Sequence, residues 1–224
     1  MKTKMLSKFA ALLAGLTVLA GAFAAAEPQN SQPLDAGTIM DRIQGRNPSL
    51  QSFQAPVHVD VRMRSFPWLA PKLDGTAYYK RPDNYEVVFN RVPSYAHGIN
   101  KLFGDIGDPA AWRREYNVDF AGVQRVDGRT ALALRLTKKI HSDQLADTIA
   151  YVDPVTYQVV RMDFHYTNGG EISMTQNYRD QGQYNVIVAQ HAEIHIPHVS
   201  AVADATFGAY QPNVAVSDEV FTKK

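Results

Sequence analysis

Two groups of residues in this sequence have types and spacings that could do chemistry. His191-Ala192-Glu193-Ile194-His195 offers two imidazoles and a carboxylate, the donor types of a zinc site. The metalloprotease pattern places Glu directly after the first His on a helix, and here it stands one place late. Val186, Ile187, Val188, Ile194 and Ile196 mark the segment as a strand, on which residues four apart lie ~13 Å from one another, at about 3.3 Å per residue. That is too far to share an ion, so His191, Glu193 and His195 are expected on a wet face. His198, after Pro197, could join His195, but two imidazoles without a nearby carboxylate are a poor site. The second group is Arg81 with its neighbours. If Arg81 points inward, strand alternation puts Ala77, Tyr79, Tyr85, Val87 and Phe89 on the same face, an apolar wall with one cation at its rim. Such a wall suits a hydrocarbon chain with a polar end, each buried CH₂ contributing about 0.8 kcal/mol. It equally describes packed core under a covered sheet, with Arg81 as an edge arginine paired to Glu86 or Asp83.

Other chemistries lack their signatures. The 224 residues contain no cysteine, which removes disulfides, Cys-ligated metals and thiol nucleophiles. There is no Gly-x-Ser-x-Gly elbow and no phosphate-binding glycine loop. A carboxylate pair for glycoside hydrolysis stays open, because Asp and Glu are scattered and their separation in space is invisible at this stage. No cofactor, metal or catalytic residue is assigned, and an enzyme is not the expected class.

The first 26 residues read as a secretory signal peptide. Lys2, Lys4 and Lys8 precede an uncharged apolar run from Phe9 to Ala26, with Ala22-Phe23-Ala24 or Ala24-Ala25-Ala26 as a small-x-small cleavage pattern. An uncleaved anchor is the competing reading, and an 18-residue run made mostly of Ala and Gly is short and weak for it. Leu19-Ala20-Gly21-Ala22 resembles a lipoprotein signal in which Ala replaces the acylated Cys. Removing the three lysines of this segment moves the formal charge from +1 to −2. Adjacent basic pairs, such as Lys80-Arg81 and Arg113-Arg114, are few and scattered, so nucleic acid is not an expected partner.

Residues 27–34, polar with two prolines, read as a flexible leader, and 35–224 as a single domain. Asp35 is a suitable N-cap for a helix with Ile39, Met40 and Ile43 on one face, stopped by Gly45 and Pro48. From residue 55 the period becomes two: Val57, Val59, Val61 and Met63 alternate with His58, Asp60, Arg62 and Arg64. Similar runs cover 75–80, 85–91, 116–125, 130–137, 148–152, 156–166, 171–179, 184–196 and 201–209. Asn168-Gly169-Gly170 is the strongest hairpin signal. Val160, Met162, Phe164 and Tyr166 share one face, as do Ile172, Met174 and Tyr178 on the next strand. The pattern breaks at 93–115, where Tyr95, Ile99, Leu102, Phe103 and Ile106 stand at helical spacing, followed by Asp108-Pro109 opening a second short helix that continues from Ala110 to Glu115. The fold class is α+β and mainly antiparallel β: about ten strands that must curl or close, with short helices lying over them.

The segment Asp74-Gly75-Thr76-Ala77-Tyr78-Tyr79-Lys80-Arg81-Pro82-Asp83-Asn84-Tyr85 resembles the glycine, aromatic, Lys-Arg-Pro and following aromatic motif of periplasmic outer-membrane lipoprotein carriers, the LolA-like family. The signal, the helix before the first strand, Asp127-Gly128-Arg129, Val152-Asp153-Pro154-Val155-Thr156 and Tyr166-Thr167-Asn168-Gly169-Gly170 follow in that family's order. Where the family carries a Trp-containing Asp-Gly turn, this chain has the helical insert from Tyr95 to Trp112. The resemblance implies a curved unclosed β-barrel, helices plugging its open side, and an apolar cavity for acyl chains. It makes Arg81 the arginine that reaches backbone groups of the covering helices, and Tyr85 an aromatic at the cavity mouth. The expected ligand wall is then Tyr79, Arg81, Tyr85, Val87 and Phe89, with Leu102, Phe103 and Trp112 from the lid and Met162, Phe164 and Met174 from the later strands. The implied function is a soluble, monomeric periplasmic carrier that takes a lipid or lipoprotein from an inner-membrane donor to an outer-membrane acceptor. A sensor or adaptor binding a protein partner with the same fold is the alternative.

Overall fold

The computed structural model describes residues 34–82, 84–92, 109–140 and 144–222. The signal peptide, the leader as far as residue 33, and the helix expected around Tyr95, Ile99, Leu102, Phe103 and Ile106 lie outside the described residues.

Helix α1, Ala36–Gln44, starts where Asp35 accepts a hydrogen bond from the Thr38 amide at 2.6 Å, and Ile39, Met40 and Ile43 are buried on one face. It ends at Gly45, whose amide bonds the Asp41 carbonyl at 2.9 Å. Eleven strands follow: β1 Ser52–Met63, β2 Lys72–Lys80, β3 Asn84–Phe89, β4 Tyr116–Val126, β5 Arg129–Lys138, β6 Leu145–Val152, β7 Val159–Tyr166, β8 Glu171–Gln181, β9 Tyr184–Ile196, β10 Val199–Phe207 and β11 Gln211–Pro212. Two more helices complete the described elements, α2 at Pro109–Glu115 and α3 at Glu219–Thr222.

All strand pairs are antiparallel and form one sheet in the order β3-β2-β1-β10-β9-β8-β7-β6-β5-β4, with β11 added to β1. Apart from the join of β1 to β10, neighbours in this order are neighbours in the chain, as hairpin-linked strands require. The sheet does not close, and β3 and β4 are its two edges. The chain segment between those edges carries α2, which packs against β4 and α1.

Inward-facing residues follow the period of two. Val57, Val59 and Val61 of β1 are at most 4% exposed, opposite Phe207, Ala205 and Ala203 of β10. They join one core with Ile39, Met40 and Ile43 of α1, Trp112 of α2, and the inner faces of β5 to β9. The two helices are tied together: Arg113 donates to the Gly37 carbonyl at 2.8 Å and to Asp41 Oδ1 at 2.7 Å, and the Gln44 side chain reaches the Pro109 carbonyl at 3.4 Å.

Two expectations need correction. The strand placed at 156–166 begins at Val159, because the Asp153 carboxylate accepts from the Val155 and Thr156 amides at 2.9 and 2.7 Å and holds 153–156 as a turn. Val160 also does not share the inward face with Met162. The β6–β7 register shifts between Tyr151/Arg161 and Val152/Val159, so a bulge at Val160 hands the inward position to Val159, 4% exposed. The hairpin at 168–170 forms as expected, with Gly169 at a φ of +80° and the Tyr166 amide bonded to the Gly170 carbonyl at 2.8 Å.

Candidate functional site

At the end of the sheet where β1, β3, β7 and β9 begin and β2, β8 and β10 finish, a cavity of about 520 Å³ opens beneath the connection between α1 and β1. Phe53 is the centre of its aromatic wall. Its ring stacks on Tyr79 with centroids 5.3 Å apart, meets Tyr210 at 4.8 Å, and presents an edge to Tyr85 at 6.5 Å. Leu50, Val159, Val186, Ile187 and Phe207 continue the apolar lining.

The polar lining consists of guanidinium, amide and phenol groups. Arg81 donates from Nε to the Leu50 carbonyl at 2.7 Å and from a terminal nitrogen to the Asn47 carbonyl at 2.9 Å. Its backbone amide bonds the Gln51 carbonyl at 2.8 Å. The β2–β3 hairpin thus grips the backbone of the α1–β1 connection, which hangs over the cavity. From the other side, Asn185 at the start of β9 holds the same connection through a reciprocal pair: Asn47 Nδ2 donates to the Asn185 carbonyl at 2.9 Å, and the Asn185 amide to Asn47 Oδ1 at 3.1 Å. Asn185 Oδ1 accepts from Arg46 and from Gln158 Nε2, and its Nδ2 donates to Asp180 at 2.5 Å. The Arg46 guanidinium also lies 4.7 Å from the centre of the Tyr178 ring. Burial pulls the Arg46 pKa below its usual value, against a smaller upward effect of Tyr178.

Two half-buried phenols close the floor. The Tyr178 hydroxyl lies 3.1 Å from the Val159 carbonyl oxygen and 2.8 Å from Gln176 Oε1, sharing its one proton between them. Burial pushes its pKa up to about 12. Tyr210 donates to the Ile187 carbonyl at 2.6 Å and is likewise raised by burial. A phenol whose folded pKa is raised favours the fold fully below its unfolded value of about 10, and that contribution is lost as pH climbs through the folded one. Wild-type stability is therefore expected to fall between pH 10 and 12 more steeply than that of Tyr178→Phe. Denaturant midpoints at half-unit steps of pH check this, and equal slopes would show that Tyr178 ionises without cost.

Of the residues expected to form a ligand wall, Tyr79, Arg81 and Tyr85 come together at this cavity. Val87 and Phe89 lie further along β3, 3% and 9% exposed in the core, and do not line it. Trp112, Met162, Phe164 and Met174 are also core residues outside the lining, at 1%, 1%, 6% and 0% exposure. Met162 stands opposite Met174 and Phe164 opposite Ile172 in mid-sheet, as part of the buried core. Leu102 and Phe103 lie outside the described residues. His191, Glu193 and His195 are on the wet face of β9 as expected, with His191 Nδ1 2.6 Å from Asp204 and Glu193 3.3 Å from Arg64.

Arg46, Asn47, Asn185 and Tyr210 were not singled out from sequence, and no signal there marks them, since they stand in turns or at strand ends. Phe53 carried one: it continues the odd-numbered alternation of Ala55, Val57, Val59 and Val61 two residues back.

The lining holds no carboxylate, histidine, serine or lysine among the described residues, and what it presents is apolar surface with guanidinium, amide and phenol groups. It is a cavity at the end of an unclosed, helix-covered barrel, the architecture of LolA-like proteins. In sequence, no family model and no curated protein matches the chain. In structure it is similar to a LolA superfamily protein from Nitrosomonas europaea (TM-score 0.65, 13% identity, 85% of this chain and 99% of that one). It is similar also to a DUF1329 family protein from Desulfovibrio piger (TM-score 0.62, 13% identity, 84% and 97%). A third is a domain described as an outer membrane lipoprotein-sorting protein from Vibrio parahaemolyticus (TM-score 0.62, 9% identity, 83% and 95%). At these identities the likeness is one of fold. Among the described residues, no helix is long and apolar enough to cross a membrane.

Proposed function

We propose that this protein is a periplasmic carrier that holds the acyl chains of a lipid or lipoprotein in the cavity beneath the α1–β1 connection, and moves them toward the outer membrane. The observation that carries this reading is the cavity itself: about 520 Å³, within the ~300–1,000 Å³ span of small-molecule sites, walled by Phe53, Tyr79, Tyr85 and Tyr210. Ten methylenes buried there would contribute about 8 kcal/mol before the costs of binding, at about 0.8 kcal/mol each. The fold likeness to a lipoprotein-sorting domain and the secretory signal read from residues 1–26 support the compartment and the cargo class.

In this reading no bond is made or broken. The connection gripped by Arg81 and Asn185 acts as the gate, and cargo leaves when an acceptor binds it more tightly than the closed cavity does. The test is to express the full chain in a bacterium, recover it from the periplasm, and compare its mass under native and denaturing conditions. A stoichiometric acylated species lost on denaturation is the expected result. A clean apo mass, with no uptake of added fatty acid or lipopeptide, would overturn the proposal.

A further inference from the structure

The charges at the cavity are one-sided. Among the described residues, three guanidiniums line it, those of Arg46, Arg81 and Arg113, and no carboxylate does. They are not equivalent. Arg113 is neutralised by Asp41 at 2.7 Å on the protein surface. Arg81 has two of its donor groups committed to the Leu50 and Asn47 carbonyls, which makes it a brace. Arg46 differs from both. It is half-buried, it forms no ion pair among the described residues, and its contacts are the side-chain oxygen of Asn185 and the face of Tyr178. Asn185 Oδ1 is shared with Gln158, and the exposed carboxylate of Asp180 bonds Asn185 Nδ2 without forming an ion pair with Arg46. A guanidinium carries five N–H donors in a planar fork, and burying its charge without a counter-anion is costly. A carboxylate or phosphate entering this space would meet a fork suited to bidentate contact.

The apolar and cationic parts of the lining are contiguous. Val159 and Tyr178 lie beside Arg46, and the Phe53–Tyr210 pair continues from them into the aromatic wall. A molecule with a hydrocarbon tail on Phe53, Tyr79 and Tyr210 and a negative group at one end satisfies both. Resting on the carrier reading above, we infer that the cargo is an anionic amphiphile, and that Arg46 is the residue that recognises its negative head. The feature is local, since the whole chain has a formal charge of only +1 and −2 without its first 26 residues.

The test uses the protein recovered from the periplasm and stripped of lipid. Dodecanoate, dodecyl phosphate, dodecyl maltoside and dodecyltrimethylammonium, each kept below its micelle concentration, are titrated into wild type, Arg46→Gln and Arg46→Lys. The two anionic compounds are expected to bind wild type at least 10-fold more tightly than the neutral and cationic ones. Arg46→Gln is expected to lose at least 10-fold for the anions and less than 3-fold for the maltoside, with Arg46→Lys intermediate, because it keeps the charge and loses the fork. The order of dodecanoate and dodecyl phosphate tells a carboxylate head from a phosphate one. Equal affinity for all four heads would overturn the inference and leave the carrier reading standing. An anion preference that survives in Arg46→Gln would overturn the role of Arg46. Binding of none of the four would overturn both readings. The head-group series on wild type decides the question even where a variant fails to fold.

Discussion

Arg81→Leu is expected to lower the thermal midpoint by about 6–12 °C and to free the connection over the cavity while the sheet stays paired. The variant removes two charge-assisted hydrogen bonds, at 2.7 and 2.9 Å, from the Leu50 and Asn47 carbonyls. Bonds of this kind contribute about 1.5–3 kcal/mol each, and part-buried carbonyls left without a donor add to the loss. Taking about 3 kcal/mol in all, and about 2–4 °C per kcal/mol for a chain of this size, gives the stated shift. The loss is local in its first consequence. Amide exchange is expected to speed up at Leu50, whose N–H bonds the Asn47 carbonyl at 3.1 Å, and to change little at Val59 in mid-sheet. In the carrier reading the same variant releases bound acyl chains faster. An unchanged midpoint with unchanged exchange at Leu50 would show that the connection is held without the Arg81 guanidinium.

The second large effect belongs to Gly75→Val. A Cβ at this position would stand 2.5 Å from the Val88 carbonyl oxygen and 2.9 Å from both Cα and Cδ1 of Phe89. Gly75 and Phe89 are register partners, and the phenyl ring occupies the space a side chain would need on β2. Because β3 is an edge strand, relief comes from its moving away, which unpairs Tyr85 from Tyr79 at the other end of the same ladder. Overpacking of this kind costs about 3 kcal/mol, at the upper end of its usual range, and an expected 6–12 °C in midpoint. Gly169→Ala is the control: open space surrounds it, so only the strain of its +80° φ is felt, about 1 kcal/mol. Equal shifts for the two variants, measured by circular dichroism, would refute the steric account. The effect also gives a physical reason for the glycine at the head of the Lys-Arg-Pro motif: it lets Phe89 lie across β2, so that β3 can pair and Arg81 can emerge at the hairpin's end.

The fold was largely legible in the sequence. Asp35 and Gly45 bound α1, and the alternation of β1 and the Asn168-Gly169-Gly170 hairpin stand where expected, because caps, turns and the period of two are set by residues close in the chain. The LolA-like motif led to an unclosed barrel with covering helices, and to Arg81 reaching backbone groups. What it did not disclose is which backbone: Arg81 holds the connection after α1 and has no bond to α2 among the described residues. The described residues expected to form a ligand wall divide between the cavity and the core. Tyr79 and Tyr85 line the cavity, whereas Met162, Phe164 and Met174 have the same alternation and are buried core outside its lining. Alternation reports which face a side chain takes, and whether that face is filled depends on what packs opposite it.

The sequence by itself determined the strands, the first helix, the hairpins and the motif that brings Arg81 to the end of β2. Only the tertiary structure decided where the cavity lies and what charge it presents. Arg46 and Asn185 are 139 residues apart, in a turn and at a strand end, where no periodicity operates. They meet because β1 and β9 both flank β10, which carries the start of β9 beside the connection leading into β1. Val159 reached the lining through a bulge, an extra residue that reverses alternation at one point and leaves it intact on either side. Local propensities fix the face of each strand, while a cavity is the space left between distant elements once all of them have packed.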